Sequence, residues 1–95
     1  MAVVSLDSVL RRRAGVLSTR VDDELVLLDD STSTYHGLDS VGARVWEQLD
    51  GGVTLRAICD RLSAEFEVDW ARCEREVLAF SADLAQVGLV EVAAP

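Results

Sequence analysis

Ser33-Thr34-Tyr35-His36-Gly37-Leu38 runs without a spacer into Asp39-Ser40-Val41-Gly42-Ala43-Arg44-Val45-Trp46, and this junction decides the fold. The first six residues have the composition of a short strand with a wet side. Asp39 is suited to capping a helix, and Val41, Val45, Trp46 and Leu49 recur along one face of it. Strand and helix are therefore consecutive, and the sheet and the helices that follow must share one core.

Upstream of the junction, Val16-Leu17-Ser18-Thr19-Arg20-Val21 is rich in β-branched residues, Asp22-Asp23 is turn chemistry, and Glu24-Leu25-Val26-Leu27-Leu28 resumes the apolar run. These segments predict a β-hairpin. Asp29-Asp30-Ser31-Thr32 forms a second polar turn, so Ser33 to Leu38 is a third antiparallel strand at the edge of a meander. Its polar residues suit an edge in contact with water, and an open edge accepts another strand.

Downstream, Asp50-Gly51-Gly52 ends the first helix. Thr54 caps a second from Leu55 to about Glu67, with Leu55, Ile58, Cys59, Leu62 and Phe66 as its stripe. Asp69 caps a third, roughly Trp70 to Val87, and Gly88 followed by Leu89 closes it. At 100° per residue, Trp70, Cys73, Val77, Phe80, Leu84 and Val87 share the core arc. One flank, with Arg72, Glu76, Asp83 and Gln86, faces solvent. The other, with Ala71, Glu74, Leu78, Ser81 and Ala85, is apolar or small apart from Glu74, and either packs on the sheet or lines a groove beside the third strand. The fold class is α+β: a three-stranded antiparallel sheet followed by a three-helix, winged helix-turn-helix-like cluster.

Ninety-five residues, 49% of them hydrophobic, make one domain with a modest core. Nine arginines, no lysine and 17 acidic residues leave a formal charge of −8, which repels a phosphate backbone unless the arginines cluster. Only Arg11-Arg12-Arg13 do, and a charge run near a terminus reads as a solvated tail. Residues 1–13 show no period and are expected to be a loosely packed lead-in, residues 14–91 the domain, and residues 92–95 a tail. No apolar run approaches the ~18 residues of a membrane span, and the N-terminus has the wrong order of charge and apolarity for a secretory signal, so a cytoplasmic protein without membrane contact is expected. Cys59 and Cys73 lie 14 apart with no histidine near, which fits neither a zinc site nor a redox pair; both read as buried thiols. His36 is the only histidine and has no paired nucleophile. No phosphate loop or acidic metal cluster is present, so no cofactor is expected.

The order and spacing of Leu27-Leu28-Asp29, Tyr35-His36-Gly37-Leu38-Asp39-Ser40-Val41-Gly42-Ala43-Arg44-Val45-Trp46, Leu49-Asp50-Gly51, Thr54-Leu55 and Val77-Leu78-Ala79-Phe80-x-x-x-Leu84-x-x-x-Gly88-Leu89-Val90 resembles the PqqD-like family of precursor-peptide recognition proteins, over residues 14–91. The resemblance implies that the leader of a ribosomally made precursor adds as a strand to the third strand, beside the third helix. It is nearest to the discrete leader-binding proteins of lasso-peptide biosynthesis, whose partners are a leader-cleaving cysteine protease and a macrocyclase. On this chain the docking strand is Ser33, Thr34, Tyr35 and His36. Leader side chains are expected against Val77, Leu78 and Ser81, with Glu74 available to a cation. The chain departs from the family at Asp39, where asparagine is more usual, and at Ser81, where a larger apolar residue is common.

Two other classes fit less well. A winged-helix DNA-binding regulator would present the third helix, whose two arginines are outnumbered by Glu74, Glu76 and Asp83. A thiol enzyme would need a base beside Cys59 or Cys73, and the pattern offers none.

Overall fold

The computed structural model describes residues 4–93. In chain order its elements are β1 (Leu10–Arg12), β2 (Val16–Val21), β3 (Glu24–Asp29), β4 (Thr34–Leu38), α1 (Ser40–Gln48), α2 (Leu55–Phe66), α3 (Trp70–Gln86) and β5 (Val90–Val92). The architecture is mixed α+β, as expected, with an antiparallel sheet in the order β2-β3-β4 beside three helices. Leu27 stands opposite His36 and Leu25 opposite Leu38. Side chains alternate across a sheet, so Leu25, Leu27, Asp29 and Leu38 share the inner face, and all four are buried. Trp46 and Val45 of α1, each 1% exposed, belong to the same core cluster.

The three expected caps are all present. Asp39 accepts from the Gly42 N–H at 2.7 Å, Thr54 from Ala57 at 3.2 Å and Asp69 from Arg72 at 3.2 Å. Each satisfies a donor that a helix start leaves unpaired, worth about 1 kcal/mol. At the far end of α3, Gly88 adopts φ +79°. That left-handed turn lets the Leu89 N–H reach the Leu84 carbonyl at 2.9 Å and the Gly88 N–H reach Ala85 at 3.1 Å. Leu89 is thereby folded back into the core, 1% exposed.

Three expectations are corrected. The lead-in is not loose: Leu10 is 1% exposed, β1 pairs antiparallel with β5, and the Leu6 and Ser8 carbonyls accept from the Arg56 and Leu55 N–H groups. Its period was invisible because a three-residue strand is too short to show one. Val92, assigned to a tail, ends β5, and the Ala93 N–H donates to the Val9 carbonyl at 2.7 Å. Residues 1–3 and 94–95 of the lead-in and tail lie outside the described residues.

The arginine triplet is likewise more than a solvated run. Arg12 lies over the Trp46 ring at 5.0 Å and donates to the Trp46 carbonyl. Arg13 donates to the Gly88 carbonyl and pairs with buried Asp29 at 2.7 Å. Asp29 also accepts from the Ser31 hydroxyl at 2.8 Å. The Ser31 and Arg13 hydrogen bonds outweigh burial and hold its carboxyl at about 2, below the usual 3.8. One side chain from the lead-in thus joins the end of β3 to the end of α3.

Candidate functional site

β4 pairs with β3 on one side only, so among the described residues its other edge is free of strand partners. Alternate N–H and C=O groups along such an edge point outward and can take up an incoming extended chain. Beside it lies an open groove of about 270 Å³. His36, Gly37 and Leu38 form one wall; Phe80, Asp83, Leu84 and Val87 of α3, with Leu89, form the other. The expected pairing of strand edge with helix wall is therefore present, but α3 contributes residues other than those expected.

On β4, Ser33 falls outside the strand. Its φ of +54° is left-handed, so its backbone cannot continue an extended ladder. Thr34, Tyr35 and His36 are in the strand. His36 is half-buried on the inner face and lines the groove, whereas Tyr35 lies on the outer face opposite Leu28 and is 70% exposed. The two alternate, and the groove receives His36.

On α3 the assignment of flanks is reversed. Ser81 is 0% exposed and its hydroxyl has no hydrogen-bond partner among the described residues; Val77 is 1% exposed. Glu74 and Leu78 are half-buried on the flank that turns away from Phe80 and Asp83. Glu74 is close enough to Cys59 of α2 for its charge to disfavour the thiolate. The buried set is Cys73, Val77, Ser81 and Leu84, whose centre is turned by about 25° at 100° per residue from the arc expected on hydrophobicity. Small Ser81 sits where a helix can come close, so it went inside, and Val87, 53% exposed, came out. The flank with Glu76 and Asp83, expected to be plain solvent surface, is the one that lines the open space.

Phe80 packs where α3 meets α1. Its ring lies against the backbone of Gly42: a Cβ placed on Gly42 would come within 3.3 Å of the Phe80 Cζ atom. Only glycine lets α1 approach the ring so closely without displacement. A second cleft, about 510 Å³, opens on the far side between α1 and α3, with Val41, Val45, Val77 and Ala79 among its apolar residues and Asp39, Glu76 and Asp83 among its charged ones. Val77 thus does border open space, but in this cleft and not in the β4 groove. The sequence signal for Phe80 was Gly42 four residues before Trp46, inside a helix where alanine would otherwise be preferred.

Neither thiol is poised for chemistry. Burial pushes Cys59 up to about 12 and raises Cys73 as well, and the Cys73 thiol points at the Cys59 carbonyl at 3.8 Å. Among the described residues no cluster of three metal-ligating side chains occurs, and no helix is long and apolar enough to cross a membrane.

Known proteins share this architecture. The family model of coenzyme PQQ synthesis protein D (PqqD) matches residues 24–90. A PqqA binding protein of Xanthomonas oryzae pv. oryzae is 33% identical over 94 residues, covering 97% of this chain and 100% of its own length. One from Xanthomonas campestris pv. campestris is 32% identical over the same span. Among solved structures, TbiB1 in complex with the TbiA(beta) leader peptide superposes with a TM-score of 0.79 at 40% identity, covering 90% of this chain and 99% of that one. A lasso peptide synthetase B1 complexed with the leader peptide gives the same TM-score at 26% identity, covering 86% of this chain and 96% of that one.

Proposed function

Since the chain belongs to the PqqD family, we propose that it is a non-catalytic adaptor for the leader of a ribosomally made precursor peptide. The observation that carries this reading is the unpaired edge of β4 beside a groove walled by α3. The leader adds to Thr34–Leu38 as a fourth strand, and its side chains on the inner face meet His36, Phe80, Leu84 and Val87. Main-chain bonds supply affinity that is blind to sequence, and the helix wall supplies selection. The likeness to lasso peptide synthetase B1 supports delivery of the bound precursor to a separate leader-cleaving cysteine protease and to a macrocyclase, in the cytoplasm.

The relatives are named for peptide binding, and the open flank of α3 carries Glu76 and Asp83. Neither favours the DNA-binding alternative. The buried, protonated thiols likewise give a thiol enzyme no nucleophile.

Panning a library of random dodecapeptides on the protein tests the reading. Binders should protect the amides of β4 in hydrogen exchange and leave those of β2, the sheet's other edge, unprotected. Methylating their backbone nitrogens one at a time should weaken binding at every second residue. Protection of β2 instead, or a uniform response to methylation, would place the peptide elsewhere.

A further inference from the structure

Phe80 and Asp83 line both openings, the β4 groove on one side and the α1–α3 cleft on the other. The two spaces therefore adjoin at these two residues of α3. Resting on the leader-binding reading above, we propose that the bound peptide continues from the β4 edge past Phe80 into the α1–α3 cleft, where it is selected for a bulky apolar side chain next to an arginine or lysine.

The cleft is large enough for such an anchor, its 510 Å³ lying within the ~300–1,000 Å³ usual for ligand clefts. Val41, Val45 and Val77 offer it an apolar lining without a hydrogen-bonding side chain. The charge around it is mainly negative. Arg72, the one cation among the described residues that line it, is already bonded to Glu76 at 3.2 Å, and Asp39 gives one oxygen to the cap of α1. Asp83 has no ion-pair partner among the described residues. It stands at the junction, so any chain passing from groove to cleft goes by an uncommitted carboxylate. A net charge of −8 favours the approach of a basic segment over an acidic one. The path is short: Glu76 to Asp83 is about 10 Å of helix, which about three residues of extended peptide span.

The same dodecapeptide library, panned in parallel on the wild type and on Asp83→Lys, tests this. Wild-type binders should carry tryptophan, phenylalanine or leucine within about three residues of an arginine or lysine. Changing that basic residue to glutamate should weaken binding about fivefold, and Asp83→Lys should reverse the preference. Ala79→Trp, on an exposed site of α3 within the cleft, should weaken anchor-bearing peptides about tenfold and leave peptides cut back to the strand-forming segment unchanged. Melting curves of both variants establish that they are folded. If library binders show the two-residue methylation period but respond less than twofold to the charge swaps and to Ala79→Trp, strand addition stands and selection in the cleft is refuted. If nothing is enriched on the wild type, both readings fail together.

Discussion

The two flanks of α3 have nearly opposite chemistry and opposite fates. One carries Glu74, Leu78, Ser81 and Ala85 and looks apolar, yet it is half-buried or buried against the rest of the core. The other carries Glu76 and Asp83, which look solvated, beside Phe80 and Val87, which read as core, yet together they form the wall of the groove and the cleft. The lesson concerns what a binding face needs. A surface that is apolar throughout is covered by the protein's own neighbours, because burying it is favourable at about 25 cal/mol per Å². A surface that mixes one aromatic ring with carboxylates can stay open in water and still offer a guest an anchor.

The sharpest way to test this contrast is to place a charge on the seam between the flanks. Val77→Asp buries an unpaired carboxylate and should cost about 4 kcal/mol or more, seen as a collapse of the urea unfolding midpoint. Phe80→Ala strikes the ring that rests on Gly42 and separates the two openings. It should lower stability by about 2 kcal/mol, less than a fully buried ring would, and reduce the affinity of panned peptides at least tenfold. Unchanged affinity would show that the wall lies elsewhere.

A matched pair then compares the flanks directly. Val87→Glu should weaken peptide binding about tenfold with the circular dichroism spectrum intact, whereas Leu78→Glu should change affinity less than twofold and cost about 1 kcal/mol of stability. The opposite ranking would restore the flank favoured by sequence. Ser81→Ala should raise stability by about 1 kcal/mol in urea titrations, because it removes a buried hydroxyl that has no partner. A loss would mean that the hydroxyl is satisfied.

The last effect is silent at neutral pH. Asp29 titrates at about 2 in the fold and near 3.8 ordinarily, so its contribution is complete above about pH 4 and is lost as pH falls toward 2. Arg13 links this carboxylate to the Gly88 carbonyl, so acidification should loosen the end of α3 on the groove side first. Hydrogen exchange between pH 4 and pH 2 should show the amides of Val87 to Leu89 opening before those of Glu74 to Leu78, with the order lost in Asp29→Asn.

Much of the fold was legible along the chain. Caps, turns and stripes are local signals, and Asp39, Thr54, Asp69 and Gly88 each act within a few residues of their own position. The short strands β1 and β5 were not legible, since each is three residues long and defined only by the other, about 80 positions away. Arg13 was hidden for the same reason: its partners Asp29 and Gly88 are distant in sequence, and an arginine with distant partners looks like one with none. The strand expected at the edge of the meander is there from Thr34 onward, with Ser33 excluded by its left-handed backbone. Of the residues that face it across the groove, Phe80, Leu84 and Val87 read along the helix as core and Asp83 as solvated surface.

The sequence by itself determined that the three-stranded meander precedes the helices, where each helix starts and stops, and that the last strand of the meander meets water. Those outcomes depend on backbone hydrogen bonds and side-chain periods that are complete within a short segment. Only the tertiary structure decided which way α3 turns about its axis. That angle was set by how closely Gly42 admits the Phe80 ring and by how little room Ser81 requires, both of them contacts between chemically ordinary residues from different elements. Packing depends on shape at close range, and hydrophobicity along a single helix carries no record of it.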